Sequence, residues 1–194
     1  MLLQSGVSKF AYDWSHDGRF LLYGITDPKT KTDLWVLPLT GDRKPMPLLQ
    51  TEFNETQGQF SPDGKWIAYS SDESGRFEIY VQSFPASSGG RWVVSNGGGA
   101  QPRWRRDGRE LFYIAGDSTV MAADVITTGS AFKAGIPKSL FDAPIYPGAA
   151  NGVAATFRWD ASADGQRFLL DAIPRETTSS GINVVLNWEA SLKK

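Results

Sequence analysis

Four Asp-Gly dipeptides, Asp17-Gly18, Asp63-Gly64, Asp107-Gly108 and Asp164-Gly165, recur along the chain at intervals of 46, 44 and 57 residues. A near-constant period of this size marks a repeat architecture, in which one supersecondary unit buries its apolar face only when copies stack. The first two intervals fit the roughly 40–45 residues that four short strands and their turns occupy, and the third is that length plus an insertion. The flanks repeat as well. Trp14, Phe60, Trp104 and Ala161 each stand three residues before the Asp, and Leu21, Ile67, Leu111 and Phe168 stand four after it. Both sets are assigned to inward-facing positions of a hairpin. In the second copy, Pro62 presets its φ, Asp63 bonds neighbouring amides and Gly64 supplies the positive φ that closes the turn.

A third strand is expected at Leu34-Trp35-Val36-Leu37, Ile79-Tyr80-Val81, Val120-Met121-Ala122 and Val184-Val185-Leu186. Fourth strands are expected at Pro47-Leu48-Leu49-Gln50, Arg91-Trp92-Val93-Val94 and Ser139-Leu140-Phe141. The last repeat has no fourth-strand candidate of its own. Leu2-Leu3-Gln4 copies the letters of Leu48-Leu49-Gln50 at the same distance from its Asp, so it is expected to supply the missing strand beside residues 183–188. With no helical periodicity between repeats, βαβ units are excluded. The fold expected is an all-β β-propeller domain over residues 1–194, with four repeats of a four-stranded antiparallel blade, either closed as a four-bladed ring or open as a half-ring. An aromatic content of 12% with 20 glycines and 11 prolines suits short strands and many tight turns.

Ser61-Pro62-Asp63-Gly64-Lys65-Trp66-Ile67-Ala68-Tyr69, followed by Glu78-Ile79-Tyr80-Val81, resembles the WD40-like Asp-Gly repeat of TolB-type propellers over nearly the whole chain. The stretch from Gly99 to Gly108, with Gln101-Pro102-Arg103-Trp104, and the ending Asn183-Val184-Val185-Leu186-Asn187-Trp188 resemble the C-terminal propeller region of certain bacterial eukaryotic-type serine/threonine kinases. The resemblance implies a non-enzymatic sensor or binding module for a protein or peptide, commonly outside the cytoplasm, with any kinase activity in a separate domain. TolB-like propellers also precede α/β-hydrolase domains in prolyl-oligopeptidase-type peptidases. The alternative reading is therefore the accessory propeller of such a peptidase.

The residues supply little catalytic chemistry. The chain has no cysteine, and its single histidine, His16, takes the turn place that Pro62 holds in the next repeat. No Gly-x-Ser-x-Gly elbow, Gly-rich kinase loop or His-Arg-Asp motif is present. The Asp-Gly turns and Asp72-Glu73 lack the ligand spacing of an EF-hand loop, and Gly97-Gly98-Gly99 lacks the context of a phosphate loop, so neither a metal nor a cofactor is expected. A net charge of −1 provides no field for nucleic acid, although Arg103, Arg105, Arg106 and Arg109 surround Trp104. No run is long and apolar enough for membrane insertion.

Positions six and four before each Asp, on the first strand of each repeat, have the parity opposite to the aromatic and are mostly polar. A ligand site is therefore expected from Asp13, Gln57, Gln59, Gln101, Arg103, Arg158 and Asp160, the bland reading being a hydrated channel lining. Arg103 and Arg158 are expected to pair with carboxylates such as Asp13 or Asp160. The mouth is placed at the variable loops 26–32, 71–76, 142–155 and 174–181, opposite the Asp-Gly turns. A homodimer that completes a larger ring is a further expectation.

Overall fold

The computed structural model describes residues 6–85, 90–145 and 156–172, together with the backbone of 183–186. Among these residues there is no helix, and the strands form four antiparallel sheets. Blade 1 runs in sequential order through β1 (Lys9–Trp14), β2 (Phe20–Asp27), β3 (Lys31–Pro38) and β4 (Met46–Leu49). Blade 2 repeats it with β5 (Glu55–Phe60), β6 (Trp66–Ser71), β7 (Glu78–Ser83) and β8 (Arg91–Val93). Blade 3 holds β9 (Ala100–Trp104), β10 (Glu110–Ile114), β11 (Thr119–Thr128), β12 (Ala131–Ala134) and β13 (Lys138–Asp142). Blade 4 contributes β14 (Trp159–Ala161), β15 (Arg167–Leu170) and β16 (Asn183–Leu186). Among the described residues the sheets do not join into a ring, which fits an open half-ring.

One turn, used four times, joins the first two strands of each blade. Ser15 Oγ donates to Asp17 Oδ1 at 2.7 Å, the Arg19 amide donates to the same oxygen at 3.0 Å, and the Phe20 amide donates to Ser15 Oγ at 2.9 Å. Ser61 with Asp63, and Ser162 with Asp164, repeat the set. In blade 3 the place of the serine is taken by Arg105, whose guanidinium grips Asp107 at 2.7 and 2.8 Å. The glycines of the four turns lie at φ 69–73°, where a side chain would be strained. The serine two residues before the Asp recurs in three copies, so the sequence also carries this part of the turn.

The core is divided among the blade junctions. Tyr12, Leu22, Leu34 and Val36 of blade 1 meet Phe60, Ile67, Tyr69 and Tyr80 of blade 2. Trp66, Ala68, Ile79 and Val81 meet Trp104, Leu111, Tyr113 and Ala123 across the second junction. Phe112, Ile114 and Val120 meet Trp159, Phe168 and Leu170 across the third. Phe60 and Trp104 thus hold the buried slot expected of them. Trp14 does not: it is 58% exposed. The slot is a contact with the preceding blade, and the described residues place none in front of blade 1.

Blade 3 also departs from the four-strand plan. β11 extends to Thr128 and returns through Gly129 as β12, which pairs with its far half while β13 pairs with its near half. Part of the long third interval is therefore a hairpin. Its Phe132 is 5% exposed and sits 5.4 Å from both Trp66 and Trp92, ring centre to ring centre. The expected pairing of Leu2-Leu3-Gln4 with residues 183–188, the loop at 174–181 and most of the insertion at 142–155 lie outside the described residues.

Candidate functional site

The first strands β1, β5, β9 and β14 line the centre of the arc, and the polar side chains expected there reach from each blade to the backbone of the next. Four before the turn Asp, Asp13 Oδ2 accepts the Phe60 amide at 2.8 Å and Gln59 Oε1 accepts the Trp104 amide at 2.8 Å. Six before it, Gln57 Oε1 accepts the Gln101 amide at 2.9 Å and Gln101 Oε1 accepts the Arg158 amide at 2.6 Å. Arg103, a donor in a place otherwise held by acceptors, turns to the Trp159 carbonyl at 3.2 and 3.3 Å. Two indoles lock the pattern from the other side, Trp104 Nε1 donating to the Gln59 carbonyl at 3.3 Å and Trp159 Nε1 to that of Gln101 at 3.1 Å.

A bulge makes this reach feasible. The pairing of first and second strands shifts register between Ala11 and Asp13, between Thr56 and Gln59, and opposite the start of β9. Gln57 and Gln101 take left-handed φ of 55° and 56° at equivalent places. An L-residue held there costs on the order of 1–3 kcal/mol, which the cross-blade bonds and full burial of both side chains offset.

The charged members gather at the centre. Arg103 lies 3.3 Å from Asp160 and stacks over Phe157 at 3.6 Å, and Asp13 acts on the same guanidinium. Burial raises the Asp13 pKa against the bond from Phe60 and the field of Arg103. Arg158 pairs with Asp171 at 2.8 Å. The basic cluster around Trp104 is dispersed, since Arg103 is turned inward and Arg105 is held by Asp107 and Glu110.

Two openings border these residues. A cleft of about 380 Å³ on the outer face of blade 4 is lined by Phe157, Arg158, Trp159, Asp160 and Leu169. The other, of about 340 Å³, receives residues from all four blades: Asp13, Trp14 and His16; Gln59, Phe60 and Pro62; Trp104 and Arg106; Ala161 and Ala163. It lies at the Asp-Gly turn end, opposite the variable loops at which the mouth is expected. Trp14, His16 and Arg106 are exposed at this cavity, with the bonded Asp13 and Gln59 behind them. Trp14 and Arg106 were absent from the expected set, although an aromatic in the first blade's slot is the residue that an open arc leaves uncovered. An indole face, a guanidinium, an imidazole and a carboxylate around one concavity suit recognition of a chain with both apolar and polar groups. Among the described residues no three His, Asp or Glu side chains converge on a metal-sized site, and no helix is long and apolar enough to cross a membrane.

No family model and no curated protein matches the chain. Among solved structures, TolB from Acinetobacter baumannii is similar with a TM-score of 0.63 at 19% identity, over 96% of this chain and 43% of that one. The putative TolB of Agrobacterium tumefaciens gives 0.59 at 18% identity, over 84% and 57% of the two chains. A puromycin-hydrolysing peptidase from Mycobacterium tuberculosis gives 0.59 at 18% identity, over 85% of this chain and 28% of its own. The chain spans less than two thirds of each. Similarity at this identity establishes the fold alone: with the blade order above, the chain has a TolB-like β-propeller fold, and its described sheets fit an open half-ring.

Proposed function

We propose that this arc is a non-catalytic binding module that takes a protein or peptide segment into the cavity at the Asp-Gly turn end. The observation that carries the reading is Trp14, a large indole left 58% exposed on the wall of a concavity to which every blade contributes. Exposed aromatics in concave, partly polar surroundings supply most of the energy in recognition sites. Asp13 and Gln59 support the site from behind, Arg103 holds Asp160, and Arg158 and Asp160 border the neighbouring cleft. In this assignment Gln57 and Gln101, fully buried, position the strands that carry the site. The resemblance to kinase-linked propellers suits the same reading, with the module as the sensing end of a longer protein. The fold it shares with the puromycin-hydrolysing peptidase favours a second reading, an accessory propeller beside a hydrolase domain.

Selection from a displayed random peptide library tests the site. Enriched peptides should bind the parent chain and lose about tenfold or more in affinity to Trp14→Ala and Arg106→Glu, with both variants melting as the parent does. Enriched peptides that bind Trp14→Ala as well as the parent would remove the cavity from the account and favour the blade 4 cleft.

A further inference from the structure

Two buried carboxylates at the junction of blades 1 and 2 belong to no part of the site above. Asp33 is the third residue of β3 and Glu55 the first of β5, and each is 1% exposed. One oxygen of each is bonded: Asp33 Oδ2 accepts Thr30 Oγ1 at 2.7 Å and Gln50 Nε2 at 3.3 Å, and Glu55 Oε1 accepts Thr51 Oγ1 at 2.5 Å. The other oxygens, Asp33 Oδ1 and Glu55 Oε2, are shielded from solvent and receive no hydrogen bond among the described residues. Consecutive residues, Gln50 and Thr51, bond the two carboxyl groups, and the field of Asp33 reaches Glu55.

The surroundings add negative charge. Asp27 acts on Asp33, and Glu73 as well as Asp33 acts on Glu55. The neighbouring cations are engaged elsewhere, Arg91 with Glu73 at 2.5 Å and Lys31 over the Phe53 ring at 5.8 Å. A shielded carboxylate oxygen without a donor costs several kcal/mol unless a positive partner meets it.

We propose that Asp33 and Glu55 are the charged ligands of a Ca²⁺ site in the junction between blades 1 and 2. The donors are all hard oxygens, two carboxylates with the hydroxyls of Thr30 and Thr51 beside them, which suits Ca²⁺ over soft transition metals. Only two carboxylates take part, so affinity falls on the order of 10⁻⁴–10⁻³ M, the range of extracellular modules. The ion joins the start of a blade 1 strand to the start of a blade 2 strand and stabilises that junction.

Calorimetric titration of the full chain with CaCl₂ after chelator treatment, paired with thermal unfolding, tests the site. One site per chain is expected, with a melting point raised by about 2–4 °C at saturation. Asp33→Asn and Glu55→Gln, which keep shape and remove the repulsion, should fold normally and lose the Ca²⁺ response. Absence of any Ca²⁺ heat or shift in the parent overturns the proposal. So does a response that survives both substitutions, or a melting point that follows pH alone and ignores Ca²⁺, which would make the pair a shared-proton site.

Discussion

Trp14 and Trp104 stand at the same place in the repeat, yet one is 58% and the other 9% exposed. The difference lies in the neighbour: Trp104 packs with Trp66 across the second junction and with Phe132 of its own blade and bonds the Gln59 carbonyl, while Trp14 faces the open cavity. Trp104→Ala should therefore lower the free energy of unfolding in urea by about 3–5 kcal/mol. Trp14→Ala should stay within about 0.5 kcal/mol of the parent in the same titration. Equal losses would mean that a blade covers Trp14 in solution. The central polar residues behave similarly. Gln101→Met keeps the shape but removes the acceptor of the part-buried Arg158 amide bond, for an expected cost of about 0.5–1.5 kcal/mol and faster exchange of that amide. Residue type and spacing made both sets legible in the sequence. Their partners were not, because Asp13, Gln57, Gln59 and Gln101 bond across 44 to 57 residues of sequence, a distance over which local pattern carries no information.

The turn Asp accepts three hydrogen bonds in blades 1 and 3 and two in blades 2 and 4, so each opening hairpin is closed through its carboxylate. Asp17 is lowered from 3.8 to about 2 by the bonds from Ser15 and Arg19, and Asp107 to about 2 mainly by Arg105. A folded value below the unfolded one means that the contribution is fully present above about pH 4 and is lost as pH falls through about 2. Carboxyl-resolved NMR titration should find both midpoints near 2, and Ser15→Ala should move that of Asp17 upward while leaving Asp107 in place. An Asp17 midpoint near 3.8 in the parent would show the turn bond to be absent in solution. On the opposite side of the hairpin, Gly58 of β5 lies so close to blade 1 that a methyl would meet Leu22 Cδ2 at 2.6 Å and Leu34 Cδ1 at 3.3 Å. Both leucines are fully buried, so Gly58→Ala should cost about 1–3 kcal/mol in the same urea titration. The turns were readable from Asp-Gly alone. The β12 hairpin was not: Val125-Ile126-Thr127 and Thr128-Gly129 carry strand and turn signals, but the period of the repeat allots them no strand.

An arc and a ring distribute stability differently, because stacked repeats are held mainly by their nearest neighbours. Blades 2 and 3 have a junction on both sides, and every residue of β6 is buried, as are four of the five in β10. Blade 4 presents an outer face where Leu169 is 46% exposed beside Asp160 and the Arg158–Asp171 pair, and in β15 buried and exposed residues alternate. That face differs from the apolar surfaces buried at the three junctions. Blade 1 is apolar on its leading side, where Trp14 pairs with Leu21, Leu21 with Leu37 and Tyr23 with Trp35. Tyr23 and Leu37 on that side are 2% and 0% exposed while Trp14 is 58% exposed, so the side is covered in part, and how blade 4 sits against it separates an arc from a ring. Hydrogen exchange followed by mass spectrometry reads the outcome. In an open arc the amides of β6 and β10 should be protected at least about tenfold more than those of β15 and β4, with the gradient independent of protein concentration. Even protection around all four blades at every concentration would indicate a ring closed within one chain. A gradient that flattens as concentration rises, with light scattering reporting twice the mass, would establish the larger ring built from two arcs and would require blade 4 to be covered by a surface that neutralises its charges.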